Sequence, residues 1–181
     1  MGLSVFDEVE NEDLSMIFKH PYGMTVPGPN IKAYFEKLNL KGQKDDNFVK
    51  AVYVMNRLHE DYDYIPNTTT IETTAEEAFS QGHGVCQDFS HIFISLMHLA
   101  GIPARYVTGL IVGEGASHAW VEILHDKKWY GLDPTNNMMV LDEHIKIGVG
   151  RDAHDCMLNR GIMHGGGSHT QLIKVSVEKI N

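Results

Sequence analysis

The stretch from Cys86 to Ala100 constrains this chain most. Phe89, Ile92, Phe93, Leu96 and Leu99–Ala100 recur there at helical spacing. Gly82-His83-Gly84 turns the chain just before it, and Gly101 with Pro103 stops it. A helix so bounded is apolar on most sides and belongs in the centre of a fold, covered all round. The covering elements can be read on either side of it. Upstream, Pro29 and Asn30 open a short helix through Ile31, Tyr34, Phe35 and Leu38, because proline suits a first helical position. A longer helix is expected from Asp46 to Glu60, capped by Asp45 or Asp46, with Phe48, Val52, Met55 and Leu58 on one face. Thr74 and Glu77 form a capping box for a further short helix that ends near Gln81.

Downstream the pattern changes. Arg105 to Val112, Ala119 to Leu124 and Lys128 to Leu132 are short, rich in β-formers and separated by turn residues. From Leu172 to Lys179, Ile173, Val175 and Val177 alternate with Lys174, Ser176 and Glu178, as in a strand with one wet face. Helices first and strands afterwards predict an α+β fold, with helices packed on an antiparallel sheet. Residues 1–44 read as an irregular N-terminal segment, including the short helix, laid on a core formed by residues 45–181. The 181 residues suffice for one compact domain with its own core.

Bulk chemistry narrows the partners. The formal net charge is −9 and the basic residues are scattered, which argues against nucleic acid or an anionic membrane as partner. Two cysteines, Cys86 and Cys156, are too few for a disulfide framework, so a reducing, cytoplasmic setting is expected. Met1 to Glu8 carry neither a basic nor an apolar leader region, and no apolar run approaches a membrane span.

Three segments hold candidate chemistry. Cys86 opens the central helix, where unpaired N–H groups and the positive dipole end favour a thiolate. His118 begins the Ala119–Leu124 strand, and Asp133 ends the next one, where Pro134 stops it. Each has a plainer reading alone: a small buried cysteine, a structural histidine, a turn-forming aspartate. Paired as an antiparallel hairpin around His125, Asp126 and Lys127, the two strands bring His118 and Asp133 side by side. An aspartate there can hold one imidazole nitrogen while the other faces a thiol. That is the arrangement of a Cys–His–Asp catalytic triad. The same three residues could instead be read as zinc ligands. His154, Asp155, Cys156, His164 and His169 also raise a metal question, but their spacing follows no zinc pattern, and no metal or cofactor is expected. Gly165-Gly166-Gly167 lacks the residues of a phosphate loop. His83 and His91 read as solvated or core histidines, Trp120 and Trp129 as core. Asp88 suits a helix start or could bond a neighbouring loop carrying Arg105 or Arg151.

The stretches GVCQDFSHIFISLMHLAGIPARYVTGL, SHAWVEI and KWYGLDPTNN resemble the bacterial transglutaminase-like superfamily, a branch of the papain-like fold. HIKIGVGRDAHD is similar to the tail of one bacterial branch, and the resemblance covers residue 45 to the end. It implies Cys86 as nucleophile, His118 as general base and acid, and Asp133 as the orienting residue. The backbone N–H of Cys86 would form part of an oxyanion hole, with Gln81, Tyr62 or another backbone amide as second donor. It also implies a cysteine protease or amidase acting on peptide or protein amides through an acyl-enzyme. The alternatives are an idle peptide-binding module and a protein-glutamine acyl transferase. Two departures bear on the substrate groove: little room for the β-rich region that related bacterial proteins often carry before the helices, and a short loop from Gly109 to His118 together with Ala153 where such proteins often have an aromatic residue.

Overall fold

A computed structural model describes residues 5–8, 16–40, 46–115, 117–157 and 175–178. Its helices are α1 (Pro29–Leu38), α2 (Asn47–Asp61), α3 (Ala75–Gln81) and α4 (Cys86–Leu99). Its strands are β1 (Val5–Glu8), β2 (Asp63–Tyr64), β3 (His83–Gly84), β4 (Ala104–Ile111), β5 (Gly113–Gly115), β6 (His118–His125), β7 (Lys128–Asp133), β8 (Met138–Met139), β9 (His144–Gly150) and β10 (Val175–Val177). The helix starts follow the expected chemistry. Asp46 accepts from the Phe48 N–H at 2.7 Å, and Thr74 and Glu77 close their box reciprocally.

Helix α4 is the centre. Every residue from Asp88 to His98 is buried. Phe89, Ile92, Phe93 and Leu96 are at most 1% exposed, each worth about 1.5–3 kcal/mol of burial. Its C-terminus closes with Gly101 at φ +75° and an Ile102 N–H to Met97 C=O bond of 2.9 Å. Two of its polar side chains bond the N-terminal segment: Ser95 Oγ donates to the Thr25 carbonyl at 2.7 Å, and His98 Nε2 meets the Phe18 carbonyl at 2.9 Å. Ile31, Phe35 and Leu38 of α1 join the same apolar cluster.

The main sheet has six strands in the order β1-β7-β6-β4-β9, with β8 paired to β7, and its pairs are antiparallel. Ala119, Val121 and Ile123 of β6 face α4, whereas Trp120 packs with Val107 and Val140 in a second cluster. Near that second cluster Glu122, wholly buried, accepts from Arg105 Nε at 2.7 Å and from Lys146 Nζ at 3.1 Å. The fold is thus the mixed helix and antiparallel sheet expected, with Cys86 as the first residue of the buried helix.

The sequence reading missed β1, β2, β3, β5, β8 and β9. It extended the last strand over 172–179, of which Val175–Val177 is a strand paired to β5 and 172–174 and 179 lie outside the described residues. No described helix is long and apolar enough to cross a membrane.

Candidate active site

The site forms where the start of α4 meets the ends of β6 and β7. Parallel pairing of Tyr64 with Gly84 seats the chain just ahead of Cys86. A Cβ at Gly84 would stand 2.6 Å from Asp88 Oδ2 and 2.8 Å from the Tyr62 hydroxyl, so this approach needs glycine. Asp88 accepts the Val85 N–H at 2.8 Å, closing the helix start, and the Thr69 hydroxyl at 2.6 Å. Asp88 therefore does bond a neighbouring loop. Its partner is Thr69 rather than an arginine, since Arg105 is paired to Glu122 and Arg151 to Asp155.

The hairpin of β6 and β7 pairs Val121 with Leu132 and His125 with Lys128. Asp126 and Lys127 both have positive φ, +46° and +63°, as a two-residue hairpin turn requires. His118 Nε2 lies 2.7 Å from Asp133 Oδ2, which leaves the ring's Nδ1 for the Cys86 side. Burial disfavours the imidazolium. The hydrogen bonds with Asp133 and Cys86, and then their charges, outweigh it and raise His118 to about 9. Asp133 is wholly buried. Burial pushes its carboxyl up, but hydrogen bonds from His118, His144 and Asn136 hold it well below the usual carboxylate range.

The sequence reading did not find His144. Its Nε2 lies 3.2 Å from Asp133 Oδ2, and its side chain is wholly buried. Asn136 Nδ2 donates to the same oxygen at 2.7 Å. Asp133 Oδ1 takes the backbone N–H of Thr135 at 3.0 Å and of Asn136 at 3.1 Å. The Asp133–Asn136 turn was legible in principle, because an aspartate followed by Pro-Thr-Asn commonly caps its own turn. The HIKIGVGRDAHD resemblance begins with His144 but gives it no role, since its reach to Asp133 depends on how β9 is laid beside β4.

His118, Asp133 and His144 present ligand atoms within 4.8 Å of one another, a donor set of zinc type. Cys86 is not part of that convergent set. The two Asp133 oxygens already accept from five donors, and both imidazoles aim Nε2 at one carboxylate oxygen rather than at a common centre. Of the downstream histidines, His154 lies 3.4 Å from Glu72, while His164 and His169 lie outside the described residues. His91 is a core histidine whose Nε2 accepts the Ala153 N–H at 3.1 Å. Tyr62 donates to the His83 carbonyl at 2.6 Å and so is already committed as a donor, and Gln81 sits at the exposed end of α3.

A cleft of about 200 Å³ is lined by Gln87 and Ser117, the sequence neighbours of Cys86 and His118, and by Ile71, Tyr106, Thr108, Ala153, Cys156 and Met157. Among the described residues no charged side chain lines it. Burial, helped by Asp155 and Asp152, pushes the Cys156 thiol up to about 12, and burial also raises Tyr106. Both therefore stay neutral at physiological pH.

Residues 37–134 match the pattern of the transglutaminase-like superfamily, spanning the Cys86, His118 and Asp133 segments together. The chain belongs to that superfamily. It is 37% identical over 65% of its length to an uncharacterized protein of Mycobacterium leprae, and 33% identical over 69% to one of Mycobacterium tuberculosis. It spans about half of those relatives, 46% and 45% of their lengths. Among solved structures it resembles the "Putative Cysteine Protease from Cytophaga hutchinsonii", with a TM-score of 0.70 and 25% identity, over 82% of this chain and 51% of that one. The periplasmic domain of TgpA from Pseudomonas aeruginosa shares the fold, with a TM-score of 0.53 and 19% identity, over 71% of this chain and 50% of that domain. The transglutaminase-like core thus carries the hairpin and α4 as its shared frame, while His144 lies beyond the matched residues.

Proposed function

We propose that this transglutaminase-like protein is a thiol hydrolase of peptide or protein amides. The observation that carries the reading is the 2.7 Å His118–Asp133 hydrogen bond next to Cys86 at the start of α4. The Cys86 thiolate attacks the amide carbonyl, and the Cys86 backbone N–H, a free donor at a helix start, faces the developing oxyanion. His118 gives its proton to the departing amine, leaving a thioester. Water then attacks the thioester, His118 takes the water proton, and the thiolate leaves as the acid product departs. Asp133 keeps the imidazole oriented and stabilises its charged form. The described lining of the cleft, uncharged and including the sequence neighbours of Cys86 and His118, favours a substrate with an uncharged side chain next to the scissile carbonyl. Both cysteines are free thiols, which fits a reducing compartment.

The test is a peptide library screened for newly released amine, with Cys86→Ser as control. Turnover that disappears in the Cys86→Ser protein supports hydrolysis. Peptide binding without turnover would make the protein an idle module, and transfer to an added amine in preference to water would make it an acyl transferase.

A further inference from the structure

We propose that His144 is a positioning residue of the same site: it donates Nε2–H to Asp133 and so holds the carboxylate that orients His118. The proposal rests on the Cys86–His118 reading above and extends it to a fourth side chain.

Asp133 has no contact with water, so its orientation depends on the donors around it. Oδ1 is tied by backbone N–H groups of its own turn. Oδ2 is held by side chains, His118 from β6, Asn136 from the turn and His144 from β9. His144 is the only one of these three whose anchorage lies outside the β6–β7 hairpin and its turn. Its backbone is fixed by the Val112 N–H bond to the Glu143 carbonyl at 2.9 Å and by its own N–H to the Leu141 carbonyl at 3.2 Å. Its ring stands edge-on to Trp120, 5.1 Å between centroids at 76°. Such a ring cannot swing away without opening that packing, so its Nε2 is a fixed donor.

The tautomer follows from the same geometry. His144 Nδ1 is buried with no hydrogen-bond partner among the described residues, while Nε2 faces a carboxylate oxygen. A proton on Nδ1 would leave the Nε2 lone pair facing the Asp133 charge across 3.2 Å, which is repulsive. The proton therefore sits on Nε2, and the bond to the carboxylate is charge-assisted. Of the groups around Asp133, His118 and His144 both offer Nε2–H to one oxygen. Removing His144 frees Oδ2 to turn away from the line that His118 needs.

Two substitutions separate the hydrogen bond from the packing. His144→Gln keeps an N–H donor near the Nε2 position but loses the ring, whereas His144→Phe keeps a ring against Trp120 but loses the donor. The readout is the rate of Cys86 alkylation by iodoacetamide at about pH 6.5, assigned by mass spectrometry, which needs no substrate. We expect His144→Phe to slow Cys86 about tenfold, the scale of one lost charge-assisted bond, and His144→Gln to stay within about threefold of the parent. The reverse order, equal slowing in both, or no change in either overturns the proposal. His118→Ala run alongside tests the underlying reading: if it leaves the Cys86 rate unchanged, that reading fails and this one with it. If His118→Ala slows Cys86 while His144→Phe does not, only the present proposal fails. Should either His144 variant not fold, ¹⁵N-histidine NMR of the unmodified protein decides, with Nε2–H expected for His144 and an Nδ1–H tautomer overturning the assignment.

Discussion

A carboxylate with five donors has little freedom, and that makes Asp133 the residue whose replacement is most informative. Asp133→Asn is nearly isosteric, so the fold should persist. The amide, however, turns an NH₂ toward donors that expect an acceptor and cannot stabilise the imidazolium. We expect turnover to fall on the order of 10³-fold or more, with circular dichroism unchanged. Unaltered turnover would reduce Asp133 to a structural role. The pH dependence follows from His118, raised to about 9 against an unfolded value near ~6.5. In the proposed reaction it is the proton donor to the leaving amine, so the rate should decline as pH rises through about 9. Its stabilising contribution has the same sign, present in full below about pH 6.5 and lost between there and about 9. A pH–rate profile with its basic limb near neutrality would contradict this.

At the scale of elements, α4 carries two further consequences. Gly84→Ala would push a methyl into Asp88 and Tyr62, the two groups that seat the start of α4. We expect about 1–3 kcal/mol of destabilisation by urea unfolding, the usual cost of overpacking, and slower Cys86 alkylation than in the parent protein. His91, wholly buried in α4, is lowered to about 3, first by burial and then by the His154 charge. Because the unfolded chain takes up that proton more readily, the stability it supports is present above about pH 6.5 and lost as pH falls toward 3. His91→Gln, which can still accept the Ala153 N–H, should flatten the urea midpoint between about pH 6.5 and 4 relative to the parent protein. Parallel curves would show that other groups govern acid sensitivity. The helices were legible because their signals are local: Asp46, the Thr74–Glu77 box and the Gly101 stop are each read from a few neighbouring residues. The hairpin was legible because its turn is short. Strand β9 was not: Ile145, Ile147 and Val149 do alternate with Lys146 and Gly148, but these apolar side chains are the partly exposed ones, and Gly148 and Gly150 are poor strand formers that weaken the signal. His144 was hidden with it.

Across the whole molecule, Cys86 comes from the helical side and His118, Asp133 and His144 from the sheet side, so the site exists only while the two are docked. Cys156, buried beneath the cleft, and Trp120 and Trp129, at 1% and 3% exposure, report on the same docking. In a urea titration, the change in Cys86 alkylation rate, onset of Cys156 labelling and the tryptophan fluorescence change should share one midpoint, as expected of a cooperative unit of this size. Separate midpoints would mean that the sheet can open without the helices.

The two-residue turn at Asp126–Lys127 also sets what length changes this chain can absorb. Side chains on a strand alternate faces, so one residue inserted between His118 and the turn, or between the turn and Asp133, rotates one partner away from the other. Extra residues placed in the turn itself leave both strands in register. The spacing from His118 to Asp133 therefore works as a ruler with one adjustable joint at its tip, and divergent sequences of this kind should vary in length there and nowhere else along the hairpin.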